Sequence, residues 1–169
     1  MKISGKTRSR AALAAGILTT LGLLVLAFAT AAFASLGGDE SSVQNDRVQM
    51  KAAKPAAVQA TQNYTVHEIT TPYGTVIREY VSPAGKVFGV AWRGPFLPDF
   101  QQILGSYYQQ FVQGAQAARN AQVIHSRGAP LRVEQPDLVV HSGGHVRAYV
   151  GRAYVPSLIP AGVDPESIK

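Results

Sequence analysis

The chain of 169 residues contains no cysteine. That absence excludes a thiol nucleophile, a disulfide oxidoreductase and a cysteine-ligated iron–sulfur cluster. It also excludes lipoprotein processing, which modifies a cysteine after the export signal. Any fold must be held by packing alone, without the disulfides that staple small exported domains. Charge is sparse, with Asp, Glu, Lys and Arg making up 15% of the residues, and tryptophan occurs once. Signatures of common chemistries are missing too: there is no His-Glu-x-x-His, no phosphate loop and no dinucleotide fingerprint. Ser142 lies in His-Ser-Gly-Gly-His, which lacks the glycine two residues upstream that a nucleophile elbow needs. No residue is assigned as catalytic and no cofactor is expected.

What the first 34 residues do contain is an export pattern. Lys2, Lys6, Arg8 and Arg10 precede an apolar run from Ala11 to Phe28, with no acid among them. The run ends at Ala32 and Ala34, small side chains that suit a signal peptidase pocket. Residues 1–34 are therefore expected to be a Sec-type signal peptide cut between Ala34 and Ser35. The rival is an uncleaved anchor, since the run approaches the ~20 residues of a spanning helix. It would make the chain a membrane-tethered structural protein. Cleavage is favoured by the small residues and by the lack of positive charge just after them.

Removing the signal leaves twelve basic residues against ten acids, a net charge of +2, where the full chain carries +6. Most of the electrostatic case for a nucleic-acid partner leaves with it. No nucleic-acid partner is expected, and a membrane partner only if the signal is retained.

Residues 35–62 read as a flexible polar lead-in, with a short helix after Asp39 on which Val43, Arg47 and Val48 share a face. Residues 63–169 read as a single α+β domain. Tyr64 to Thr71, Thr75 to Val81 and Val87 to Arg93 alternate as strands, separated by Pro72-Tyr73-Gly74 and Ser82-Pro83-Ala84-Gly85. These turns set Glu68 opposite Arg78, Ile69 opposite Ile77 and His67 opposite Glu79. They also predict a core face of Val66, Tyr80, Phe88, Val90 and Trp92. Asp99 then caps one amphipathic helix carrying Phe100, Ile103, Leu104, Tyr107, Tyr108, Phe111, Val112 and Ala115. Leu131 to Glu134, Leu138 to His141 and His145 to Val155 complete the order β-β-β-α-β-β-β. An antiparallel meander, a helix packed across it and a second meander are expected.

Two groups of residues are candidates for binding. A three-residue Ser142-Gly143-Gly144 turn would set His141 directly opposite His145, close enough to share a metal. Zinc needs three or four ligands, however, and the sequence shows only two. A solvated histidine pair beside a glycine turn is the plainer reading. Arg119, Arg127, Arg132, Arg147 and Arg152 form a local basic excess that would suit an anionic partner, against the plainer reading of solvated strand positions.

Several segments together resemble a known family: Tyr64-Thr65-Val66-His67-Glu68, Gly74-Thr75-Val76-Ile77-Arg78-Glu79-Tyr80, Val90-Ala91-Trp92-Arg93-Gly94-Pro95, Leu104-Gly105-Ser106-Tyr107 and Ser142-Gly143-Gly144-His145. The chain is similar along nearly its whole mature length to exported bacterial proteins grouped as domain of unknown function 2844. The resemblance implies a periplasmic or secreted setting and no activity. The sequence thus points to a non-enzymatic exported module that docks an envelope protein or an anionic envelope polymer. The alternative is a small periplasmic hydrolase or metal-binding protein built on His141 and His145.

Overall fold

In the computed structural model, which describes residues 36–52, 57–121 and 130–169, seven strands form one antiparallel sheet. They are β1 (Ala57–Ala60), β2 (Thr65–Thr70), β3 (Val76–Val81), β4 (Val87–Gly94), β5 (Leu131–Gln135), β6 (Leu138–His145) and β7 (Ala148–Tyr154). Their order across the sheet is β1-β2-β3-β4-β7-β6-β5. The α-helices described are α1 (Val43–Gln49), α2 (Phe100–Leu104) and α3 (Tyr108–Ala121). The fold is α+β, with the helical segment between two strand meanders as the sequence predicts. Residues 1–34, read as the export signal, lie outside the described residues. Among the described residues no helix is long and apolar enough to cross a membrane.

The β2–β3 hairpin forms in the register its turn dictates. Glu68 opposes Arg78, Ile69 opposes Ile77 and His67 opposes Glu79. Arg78 Nε donates to Glu68 Oε2 at 2.9 Å. Between β3 and β4 the register shifts at Tyr80 and Val81, so Tyr80 opposes Gly89 and Trp92 opposes Ile77. Such a shift carries one side of a strand to the opposite face. The expected core face is corrected accordingly. Val90 and Trp92 join Ile69 and Ile77 beneath the helices, while Tyr80 and Phe88 lie on the reverse face.

Asp99 caps α2 as predicted, its Oδ1 accepting from the backbone N–H of Gln101 at 2.8 Å and of Gln102 at 3.3 Å. The single expected helix is interrupted. Gly105 takes a φ of 49°, a backbone conformation open to glycine, and a 3-10 turn over Gly105–Tyr107 leads into α3. Ile103, Leu104, Phe111 and Ala115 are buried, whereas Val112 is exposed. Trp92, 2% exposed, meets Phe100 edge-on at 5.3 Å between centroids, and Phe100 stacks on Phe111 at 5.1 Å. On β7, Gly151 opposes Trp92, and a Cβ there would run into the indole ring.

Residues 36–52 belong to the fold rather than to a flexible lead. Leu36 is fully buried, and its N–H donates to the Ile103 carbonyl at 3.1 Å. Gly37 and Gly38 exchange backbone hydrogen bonds with Val87, and Lys86 Nζ meets Asp39 Oδ1 at 2.6 Å. In α1 the buried residues are Val43 and Asp46, while Val48, predicted to share a face with Val43, is exposed. β1 is an edge strand built from residues read as linker. Its Ala-Val-Gln-Ala sequence has little strand propensity, and pairing to the edge of β2 decides its state. On the reverse face the C-terminal segment lies over Tyr80, Phe88 and Ala91, with Ile168 fully buried. The Tyr80 hydroxyl donates to the Lys169 carbonyl at 2.9 Å and accepts from its N–H at 3.0 Å.

The histidine hairpin is also corrected. Ser142-Gly143-Gly144 stays within β6, with Gly144 at a φ of 107°, and the chain turns at Val146-Arg147, where Arg147 takes a φ of 67°. His145 opposes Ala148 and His141 opposes Arg152. The predicted register would have buried Val146 and Ala148. The observed one leaves Val146 78% exposed, buries Val140 against Ala153 and sets Gly151 beneath Trp92. Packing under the tryptophan outweighs the local turn preference of the glycines.

Candidate functional site

The sheet face turned away from the helices carries a row of cross-strand neighbours. Arg132 on β5 opposes His141 on β6, which opposes Arg152 on β7. Side chains directly opposed on one face have Cβ atoms ~4.5–5.5 Å apart, so the three side chains stand side by side. They line a groove of about 300 Å³ with Leu131, Val150 and Lys169. Two of the three are already engaged. His141 Nε2 lies 3.1 Å from Glu134 Oε1. The Arg152 guanidinium donates twice to the Glu166 carboxylate and once, at 3.3 Å, to the Pro165 carbonyl. The hydrogen bonds between Arg152 and Glu166 raise the Arg152 pKa and hold the Glu166 carboxyl below its ordinary range. Arg132 is exposed and has no ion pair among the described residues.

Arg119 and Arg147 do not join this row. Arg119 is in the last turn of α3, whose side of the sheet is the opposite one, and Arg147 is in the β6–β7 turn. Arg127 lies outside the described residues, as does His125. His145 is exposed, its Nδ1 3.2 Å from the Val146 carbonyl. His141 and His145 stand on one strand four residues apart, ~13 Å at a strand's rise per residue, too far to share a metal. Among the described residues no three His, Cys, Asp or Glu side chains are grouped to hold a metal ion.

Beneath α1 lies a second set of titratable groups. Glu79 on β3 is fully buried, as is Asp46 on α1, and His67 is 7% exposed. Burial pushes the Glu79 pKa well above its ordinary value, and the neighbouring Asp46 adds charge repulsion and a hydrogen bond that push it the same way. His67 opposes Glu79 across the strands, yet its ring turns to Glu40, with Nε2 3.1 Å from Oε1. Gln102 Nε2 of α2 donates to Asp46 Oδ1 at 3.3 Å. Helix, strand and lead-in therefore meet at one buried polar cluster.

One family, described as Protein of unknown function (DUF2844), matches residues 32–168. The chain belongs to this family. The match spans the sheet, the helices and both polar clusters, and of the resemblance drawn from the segments around Tyr64, Gly74, Val90, Leu104 and Ser142 it bears out the family membership. No curated protein and no solved structure matches the chain. DUF2844 membership thus brings no assigned activity to the groove or to the buried carboxyl. The sequence reading missed the Asp46–Glu79 contact in this DUF2844 chain. A signal was present: Glu79 is in phase with Ile77 and Val81, both buried, so an acid sat in the alternation where an apolar residue belongs.

Proposed function

We propose that this protein is an exported, non-enzymatic binding module of the cell envelope that takes an anionic envelope polymer in the open-face groove. The observation that carries the reading is the row Arg132, His141 and Arg152 on adjacent strands. A sheet presents such a row at fixed spacing, which suits repeated anionic groups along a polymer better than a single ion. Arg132 and Lys169 supply charge not paired among the described residues, and Val150 supplies an apolar wall. His141 and Ser142 are consecutive strand residues and face opposite sides of the sheet, so the histidine is not placed to activate that hydroxyl. The export pattern of residues 1–34 is what supports a periplasmic or secreted setting.

Equilibrium binding of an oligouronate to the purified protein tests the reading, beside Arg132→Ala. Saturable binding that weakens with added salt, and weakens further in the variant, is the expected result. Absence of saturable binding at low salt would remove the polymer reading. An affinity capture from envelope extract that returns one protein through this groove would replace it with a protein partner.

A further inference from the structure

A second hollow, on another part of the surface, is built from different chemistry. It lies between the end of α1, the turn joining β2 to β3, and the segment Phe96-Leu97-Pro98 before α2, and holds about 300 Å³. Three of its residues are large apolar side chains left in water: Tyr73 is 74% exposed, Phe96 53% and Leu97 47%. The Tyr73 and Phe96 rings stand 5.9 Å apart at 68°, so they present two differently tilted faces along one wall. Gln49 and Gln102 contribute amides to the lining.

The wall is held rather than floppy. Thr75, 2% exposed and just before β3, donates its hydroxyl to the Phe96 carbonyl at 2.9 Å and accepts from the Phe96 N–H at 3.3 Å. The Thr71 hydroxyl accepts from the Thr75 N–H at 3.1 Å, and Gly74 N–H donates to the Thr71 carbonyl at 3.0 Å, closing the turn that carries Tyr73. The aromatic pair is thus kept at the surface by backbone and hydroxyl bonds that do not involve the rings.

We infer that this hollow binds a neutral oligosaccharide, with a sugar ring packed into the corner between Tyr73 and Phe96 and its hydroxyls bonded to the Gln49 amide and the Gln102 amide oxygen. A sugar ring has an apolar C–H face and a rim of hydroxyls, which matches exposed ring faces beside neutral amides. The formal charges in the lining, Lys51 and Asp99, are of opposite sign, so neither an anion nor a cation is selected. A concave hollow of this size suits a ring-sized group, whereas protein partners dock on broad, flatter surfaces. The inference does not depend on the arginine groove, because the two sites share no residue.

The test is calorimetric titration of the purified full chain with the hexamer of N-acetylglucosamine and, separately, with cellohexaose. A decaproline peptide serves as a third probe, since aromatic-lined grooves also take proline-rich chains. Tyr73→Ala and Phe96→Ala are compared with the parent protein, and thermal melts establish that both variants fold. The expected result is saturable binding of at least one sugar, weakened about tenfold or more by each variant and unchanged by Arg132→Ala. Failure of both sugars to bind overturns the inference. So does sugar binding that survives both variants, or decaproline binding more tightly than either sugar. Loss of oligouronate binding alone would count against the arginine groove and leave this site standing.

Discussion

Glu79→Gln keeps the shape of a side chain that is fully buried beneath α1 and removes its ability to ionise. The groups facing Glu79 are Asp46 from α1 and His67 from β2, and the His67 ring is turned to Glu40. The folded-state pKa of Glu79 is raised, first by burial and then by Asp46. In the unfolded chain it returns to about its ordinary value of 4.5. Between those two values the folded protein holds one more proton than the unfolded one. Stability is therefore complete below the unfolded value and falls as pH rises through the window, by up to ~1.4 kcal/mol per pH unit. Glutamine carries no such loss, and its amide can donate to Asp46 in place of the carboxylic proton. Urea unfolding from about pH 5 to about pH 9 should show a falling midpoint for the parent protein and a flatter one for Glu79→Gln, the curves diverging toward alkaline pH. Parallel curves, with Glu79→Gln less stable by the same amount at every pH, would refute the reasoning. Glu79 would then be ionised in the folded protein.

Trp92→Ala should cost about 3–5 kcal/mol, because the ring fills the space between β4, Gly151 and Phe100, and paired thermal melts measure it. An unchanged midpoint would mean the ring is not buried in solution. Gly151→Ala should cost about 1–3 kcal/mol by forcing a methyl into the same indole, and the change should be smaller in a Trp92→Leu background. If residues 1–34 are the export signal proposed above, the native protein should begin at Ser35, which intact-mass measurement decides. A membrane-bound species that still starts at Met1 would favour the anchor.

Local signals were legible where local physics decides. The β2–β3 register followed from its turn and from the Glu68–Arg78 pair, and the Asp99 cap followed from its place before an amphipathic run. Burial of Trp92 and of Ile103, Leu104 and Phe111 was readable for the same reason. Failures came where distant packing overrides the chain's own preference. The irregularity at Tyr80 and Val81 reassigned the faces of β4, and the demand for a glycine under Trp92 drew Ser142-Gly143-Gly144 into a strand. Of the proposed groove, the types Arg132, Arg152 and His141 were singled out in sequence, but not together. The register of β7 that aligns them is the one the glycine turn concealed. The lead-in was misread because its apolar anchors, Leu36 and Val43, are too few to announce a buried segment.

The sheet order has a consequence for how the chain finds its structure. β4 pairs with β7, although residues 95–147 separate them, while each remaining pairing joins strands consecutive in sequence. The hairpins on either side can close early at small entropic cost, but the seam that unites them waits for a long loop to close. Until then the β4 edge, with Val90 and Trp92 beside it, is bare. Folding should thus be limited by this one non-local seam, in the slower range of small mixed domains. Slow refolding and association at high concentration would have the same origin, a half-finished sheet with an open edge. The central strand has one neighbour early, in β3, and gains its second only when β7 arrives.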